Sequence, residues 1–451
     1  MSAALHQLLL VVALAAAGDA AIRLAGLTGA MGLERVLAAA PLAAAYAVSS
    51  ALVLGLAGLG GNPWVLTATS IVTWGAARFA LPRQSSSLLA EVRSRARSLS
   101  ARTRVLAWAL GGVAVAWTVG IVLRPAIGSD GVVYHLTEIV GWVRSGHPGS
   151  VQSITYEFPV GSYPLTHEVL LSWATAISRS FAPAALAGPA FLALGCAALG
   201  HALRRLAVPG FLIGLGLAAF ASSPIVADQV AGPNTDLPAV VWLAVAGALS
   251  LSVAARPAIL GPAILAGALA VGTKTTALPL AAVALGLGLW WGRAALRRLA
   301  VPLAACAGAG LLAGGLWYVR NLVVHGSPLW PFTSGPWGDP VPALIDKLRF
   351  SFIERPVATL HDRLHLYVEM LAGFGPLIAA ALVAPFTARG RALRLAGVVS
   401  ALSLLAWASA PVTGIPDDRQ ADLTLTTLRY LLPVAAMAIV TVALAGRGGP
   451  R

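Results

Sequence analysis

Charge is scarce in this chain: Asp, Glu, Lys and Arg make up 11% of its 451 residues, against 58% hydrophobic. A soluble domain carries about twice that share of charge, so water is excluded as the main solvent and the bilayer takes its place. Acid is scarcer than base, with 17 carboxylates against 31 Lys and Arg. The resulting formal charge of +14 would suit nucleic acid if the cations formed one patch with interleaved aromatics. They are dealt out between apolar runs instead, which excludes that partner. Cysteine is nearly absent: Cys196 and Cys306 both sit inside apolar runs and read as ordinary buried thiols. The alternating polarity of a barrel strand is missing too, leaving closed helices to satisfy the backbone in hydrocarbon. No cytoplasmic connection exceeds about 25 residues or carries a G-x-G-x-x-G or P-loop pattern, so a cytosolic nucleotide sugar has no domain to bind.

What is present is a series of apolar runs of about 18 to 25 residues, each long enough at 1.5 Å per residue to cross roughly 30 Å of hydrocarbon. They predict an all-α, polytopic transmembrane helix bundle of about thirteen spans. The runs are 7–28, 38–60, 63–82, 105–125, 181–203, 208–227, 237–255, 258–273, 277–292, 299–319, 366–387, 392–411 and 428–446. The stretch Leu8 to Ala17 has no basic residue before it, as a signal peptide would, and is read as part of a retained first span. Residues 1–103 form a three-span N-terminal extension with a cytoplasmic linker, and 104–451 the main transmembrane domain.

The arginines orient the chain. Arg78, Arg83, Arg93, Arg95, Arg97, Arg102 and Arg104 crowd the connection between the third and fourth runs, which makes it cytoplasmic. Alternate connections then receive Arg204 and Arg205, Arg256, Arg293, Arg297 and Arg298, Arg389, Arg391 and Arg394, and Arg447. The other side receives the longer loops, near 126–180, 228–236, 320–365 and 412–427, with most of the carboxylates. The N-terminus is then outside and the C-terminus inside. The Ala, Gly and Arg usage suits a bacterial plasma membrane.

In the first outer loop, residues 129–143 read as an amphipathic helix at the interface. At 100° per residue Val132, Val133, Leu136, Ile139, Val140 and Val143 share one face, and Asp130, Tyr134, Thr137, Glu138 and Gly141 the opposite one. Asp130, at the junction of span and helix, suits a general base. It and Ser129 are equally good N-caps. His135 and Glu138, three apart, are placed to share a metal ion or a hydrogen bond, or simply to be solvated. Further on, Tyr156-Glu157-Phe158-Pro159 and Tyr163-Pro164 set aromatics beside prolines, as belt residues or as rings that stack on sugar.

Three cations fall on the acidic side, against the sidedness of the rest: Lys274 in Gly272-Thr273-Lys274-Thr275, Arg320 in Trp317-Tyr318-Val319-Arg320-Asn321, and Arg429 in Arg429-Tyr430-Leu431-Leu432-Pro433. A cation so placed is a functional candidate, with a lipid phosphate as its natural partner; pairing with loop carboxylates is the alternative for each. Asp236, in Thr235-Asp236-Leu237-Pro238, opens the seventh run and would cap it.

Taken in order, D-x-x-x-Y-H, Y-P-x-x-x-E, T-D, G-T-K-T, W-Y-x-R-N with G-S-P-x-W-P, and R-Y-L-L-P resemble the GT-C class of membrane glycosyltransferases. The likeness runs roughly from Arg104 to Gly446 and is nearest the bacterial branch similar to protein O-mannosyltransferases and lipid A aminoarabinose transferases. It implies transfer of a sugar from a polyprenyl-phosphate carrier to a lipid, glycan or protein acceptor at the outer face. Asp130 takes the position of the catalytic acid. Tyr134, His135, Glu138, Tyr163, Asp236, Lys274, Arg320, Asn321, Arg429 and Tyr430 become candidates for substrate binding. No cofactor is required and no metal ligand is assigned; a divalent cation is admitted, although Gly131 stands where some members carry a second acid. A donor that arrives already activated also fits the lack of a nucleotide-binding domain. A secondary transporter, with charge at the midplane of paired repeats, and a non-catalytic scaffold of envelope assembly are the rival readings.

Overall fold

The computed structural model describes residues 2–82, 87–98, 100–151, 159–350, 375–387, 390–410, 412–413 and 429–447. The Tyr156-Glu157-Phe158 aromatics, the acids Asp417, Asp418 and Asp422, Arg83 and Arg389, and residues 366–374 of the eleventh run lie outside them. Among the described residues the chain is helical, apart from its connections and one two-residue antiparallel pairing of Arg349–Phe350 with Val412–Thr413.

Seven helices are long and apolar enough to cross a membrane: Ala3–Gly26, Gly32–Gly55, Ala182–Arg205, Thr275–Ala295, Ala300–His325, Arg391–Ser409 and Arg429–Gly446. Gly210–Ala221 and Pro224–Ala231, bent by 58°, make an eighth if taken as one span. Other expected runs are helical but short. Asp236–Ser250 has 15 residues and Leu260–Thr273 has 14, about 21 to 23 Å at 1.5 Å per residue. Large apolar side chains point outward from many helices, Phe79 at 92%, Trp108 at 81% and Phe386 at 90% exposed, as lipid-facing surfaces do and water-facing ones rarely do.

Small residues decide the closest crossings. A Cβ at Gly314 would collide with the Ala268 carbonyl, and one at Gly272 with Thr166 Oγ1 and the Gly314 backbone. The small-residue stretch Ala305 to Gly315 therefore seats helix Ala300–His325 on helix Leu260–Thr273. One continuous core runs from Leu9 and Leu37 in the N-terminal helices to Ile439 and Leu444 near the C-terminus.

Hydrogen bonds gather the connections into two sets. In one, Gly60 N donates to Gly146 O, His147 Nδ1 to Gly55 O, Arg179 Nη2 to Gly61 O and His6 Nδ1 to Ile177 O. Gly146 closes helix Leu136–Ser145 at φ +79°, and a Cβ there would strike the Gly58 carbonyl, so glycine is needed on both counts. In the other set, Arg256 pairs with Glu34, Arg35 with Glu91, and Arg447 Nη1 donates to Leu206 O. Each set contains only connections that the arginine count places on one side. They are called below the site end and the arginine-rich end.

The first large loop departs from the helix expected at the interface. A single turn Gly128–Asp130 runs into a π-helical turn Gly131–His135 and then Leu136–Ser145. Leu136 N reaches back five residues to Gly131 O. The π-turn shifts every later side chain around the axis. Val132 and Val133, inside the turn, are exposed, while Glu138, Ile139 and Trp142 after it are all buried, packed on helix Thr166–Ser178.

Candidate active site

A cavity of about 220 Å³ opens at the site end, lined by residues from six separate stretches of sequence. Asp130, Val133, Tyr134 and His135 come from the π-turn region, and Val160, Tyr163, Pro164, Leu165 and Glu168 from the segment entering helix Thr166–Ser178. Thr235, Thr273 to Thr276, Phe332, and Arg429 with Tyr430 complete it.

Its charged wall is a chain of four groups. Arg429 Nη1 donates to Asp130 Oδ2 at 2.7 Å, and Arg429 Nε lies 3.4 Å from Asp236 Oδ2. Asp236 Oδ1 accepts from Lys274 Nζ, which stands 4.0 Å above the Tyr430 ring. Helix ends place all four. Lys274 is the extended residue at the break between Leu260–Thr273 and the turn Thr275–Ala277. Asp236 is in the first turn of its helix, where an acid complements the dipole. Arg429 opens the turn before Leu432–Gly446, a dipole end that disfavours a cation unless anions accompany it. Neither acid is a cap: no side-chain cap is made at either helix start, and both carboxylates go to the cations. Burial works against the charged form of Asp130. The Arg429 charge and hydrogen bond outweigh it, with His135 and Lys274 adding to them, and hold the carboxyl below its ordinary range.

The second wall is aromatic. Tyr163 meets Phe332 at 5.1 Å between ring centres and Tyr134 edge-on at 6.3 Å, and Tyr134 lies 3.9 Å from the His135 ring. Burial, then the Asp130 charge, pushes the Tyr134 phenol well above its usual pKa, so it remains an O–H.

Beneath these walls is a buried acid and imidazole group. His135 Nδ1 is 2.5 Å from Glu168 Oε1, both side chains being at most 3% exposed. Glu138 is fully buried with neither oxygen bonded, and Glu168 Oε2 and His167 Nδ1 also lack partners. Burial, reinforced by Glu168, raises Glu138 to about 8, against the opposing Arg320 charge. Burial lowers His167 to about 4.

Of the sequence candidates, the structure brings Asp130, Tyr134, His135, Tyr163, Lys274, Arg429 and Tyr430 around one space, with Asp236 paired to both cations. Three expectations are corrected. Glu138 does not line the cavity and does not pair with His135, whose partner is Glu168. Arg320 and Asn321 are spent on backbone instead of on a ligand. Arg320 donates to Gly161 O at 2.6 Å and Gly149 O at 3.4 Å, and Asn321 Nδ2 to Ser162 O and Trp330 O. With Trp317 Nε1 on Thr166 Oγ1, they clamp the segment that presents Tyr163. Among the described residues no group of three or more His, Cys, Asp or Glu side chains is arranged to hold a metal ion.

Glu168 and Phe332 were not anticipated. Glu168 ends the quoted Y-P-x-x-x-E pattern, and Phe332 follows the quoted G-S-P-x-W-P; both patterns pointed at them. In comparisons with family models, curated proteins and solved structures, nothing matches this chain.

Proposed function

We propose that this protein transfers a sugar from a polyprenyl-phosphate carrier to an acceptor hydroxyl, at the site end of the bundle, which faces the outside of a bacterial plasma membrane. The reading keeps about thirteen passes of the chain, the shorter apolar helices crossing within the bundle. The observation that carries it is the meeting of Asp130 with Arg429, 299 residues apart in sequence, and of both with Asp236 and Lys274 around one cavity. Each cation violates the sidedness of the other arginines, and both serve the same space.

The geometry suits the chemistry. Arg429 has five N–H donors and Lys274 three, and each makes one hydrogen bond to a carboxylate. Apart from Arg429 Nε, which is buried facing Asp236, the others are offered to a phosphate, whose charge grows as the sugar departs, and fixed cations stabilise such growing charge. Asp130, kept ionised by Arg429, accepts the acceptor's proton. Tyr134, Tyr163 and Phe332 offer ring faces to a sugar or to the first isoprene. A volume near 220 Å³ suits one sugar and lies below the ~300 Å³ where drug-sized pockets begin. The resemblance's second acid position is Gly131, where a Cβ would sit 3.0 Å from Ile127 and Pro233, so a side chain there needs those neighbours to give way. Charge at helix ends favours this reading over a transporter, which builds its site near the midplane.

The test is release of polyprenyl phosphate from a panel of labelled polyprenyl-phosphate sugars by protein in nanodiscs, wild type against Asp130→Asn. Release by the wild type and a loss of about 1000-fold or more in the variant is expected. Carrier binding without release from any donor points to a scaffold, and no binding to a transporter.

A further inference from the structure

Asp130 and His135 are five residues apart. On an α-helix that spacing separates two side chains by about 140°, on different faces. Closing a hydrogen bond from residue i+5 to residue i, as Leu136 N does onto Gly131 O, brings the fifth residue back toward the same side. The π-turn is what gives both Asp130 and His135 to one cavity. Such turns recur at functional sites. Helix Thr166–Ser178 then supplies Glu168, whose Oε1 engages His135 Nδ1 and leaves Nε2 as the second ring nitrogen.

This is the arrangement in which a carboxylate fixes an imidazole tautomer: Nδ1 carries the hydrogen and Nε2 the lone pair. We propose that His135, held through Nδ1 by Glu168, is a second proton acceptor of this cavity, taking up at Nε2 the proton that Asp130 abstracts. The proposal rests on the transfer reading above. The acceptor's O–H bond breaks and its oxygen bonds the anomeric carbon. The bond from that carbon to the phosphate oxygen breaks, its electron pair leaving on the polyprenyl phosphate. The proton passes to Asp130, then to His135, and to water as product leaves.

Asp130 needs such an outlet. Its carboxylate is held at 2.7 Å by Arg429, an ion pair that re-forms once the proton moves on, and His135 lines the same cavity. The charged and titratable groups around His135 are Asp130, Tyr134 and Glu138 on its own segment, and Glu168 and His167 on the helix packed against it. Lys274 and Arg429 line the same cavity, and the Arg320 charge acts on Glu138. Glu168, with Oε2 free of any hydrogen bond, is the acid in direct contact with His135.

Chemical rescue tests the role. His135→Ala should lower kcat roughly 100-fold with the donor KM changed less than about threefold. Added imidazoles should restore turnover in proportion to their basicity, and Glu168→Gln should lower kcat about tenfold without being rescued. Rescue indifferent to basicity, or a change confined to KM, would assign His135 to packing and overturn the proposal. A turnover-free readout separates this from the transfer reading: nitrogen-15 histidine spectra in nanodiscs, with the His135 signal assigned by its loss in His135→Ala. A proton on Nδ1 that moves in Glu168→Gln upholds the acceptor geometry even if no donor is turned over. Nε2 protonated and Nδ1 bare sinks it, whatever the activity.

Discussion

The two ends of the bundle use the same side chains differently. At the arginine-rich end the pairs tie connections to helices, and Glu34 lies between Arg256 and, at 3.7 Å, His201. Glu91 takes Arg35 on one oxygen and Gly32 N on the other, while Arg35 Nε goes to Ala30 O. Arg256 holds Glu34, and Arg447 holds the Leu206 carbonyl. At the site end Asp236 is shared by two cations, Arg429 by two acids, and Tyr430 lies under both cations. Behind them Glu138, Glu168 and His167 keep buried polar atoms without partners, each at a cost of about 1–3 kcal/mol. At the arginine-rich end Glu34 Oε1 alone among the described paired acids is buried without a hydrogen bond, whereas at the site end such atoms gather on three neighbouring side chains beneath a cavity. Local rules broken without structural gain mark function.

The sharpest way to break this comparison is to remove one arginine from each end. On the proposed transfer reading, Arg429→Gln should lower kcat/KM about 100- to 1000-fold, by taking a fixed cation from the departing phosphate. Arg256→Gln should leave turnover within about twofold and lower the apparent melting temperature by several degrees, a loss of roughly 1–3 kcal/mol for a partly exposed pair. Turnover assays and thermal unfolding of both variants check this, and an exchange of the two patterns would abolish the distinction between the ends. A smaller effect separates Arg320 from the site cations. Arg320→Lys keeps the charge but not the fork that reaches Gly161 O and Gly149 O. About a tenfold drop in kcat/KM, with carrier affinity unchanged, is expected of a clamp; wild-type turnover would contradict the clamp.

That last pair shows why part of the site was legible and part was not. Lys274, Arg429 and Arg320 look alike in sequence, each a cation on the acidic side at the end of an apolar run. Sidedness picks out all three. Only the fold reveals that Arg320 finds carbonyls within reach while Lys274 and Arg429 find carboxylates and an open cavity. The helices were legible because apolar runs in hydrocarbon have one way to satisfy their backbone. The faces of residues 129–143 were not, because one π-turn rotates everything after it and no composition signal announces the turn. A strict 100° wheel puts Glu138 with Asp130 and leaves His135 off both faces; the structure exchanges them. One run hid a break for a related reason. Apolarity marks where a helix is tolerated, whereas the bend at Ser222–Ser223, inside the run 208–227, marks where one stops; the break at Lys274 coincides with the end of the run 258–273.

The smallest predicted effect concerns the acid that the site end buries without a bond. Glu138 is raised from the usual carboxylate value of 4.5 to about 8, by burial first and Glu168 second. Its folded-state pKa is above the unfolded one, so between those values the native protein holds a proton that the unfolded chain has lost. Stability from this group is therefore complete below pH 4.5, declines as pH rises, and is gone above about 8. Glu138→Gln keeps the shape and removes the titration. Its melting temperature should match the wild type at the acid end of that window and exceed it by a margin that grows to a few degrees at the alkaline end. Thermal unfolding in nanodiscs across the window measures the margin. A constant difference would mean that Glu138 is ionised throughout, in which case Arg320, the cation whose charge acts on it, supports that charge as well as clamping the loop, and the contrast between the two ends loses one of the three unpaired members at the site.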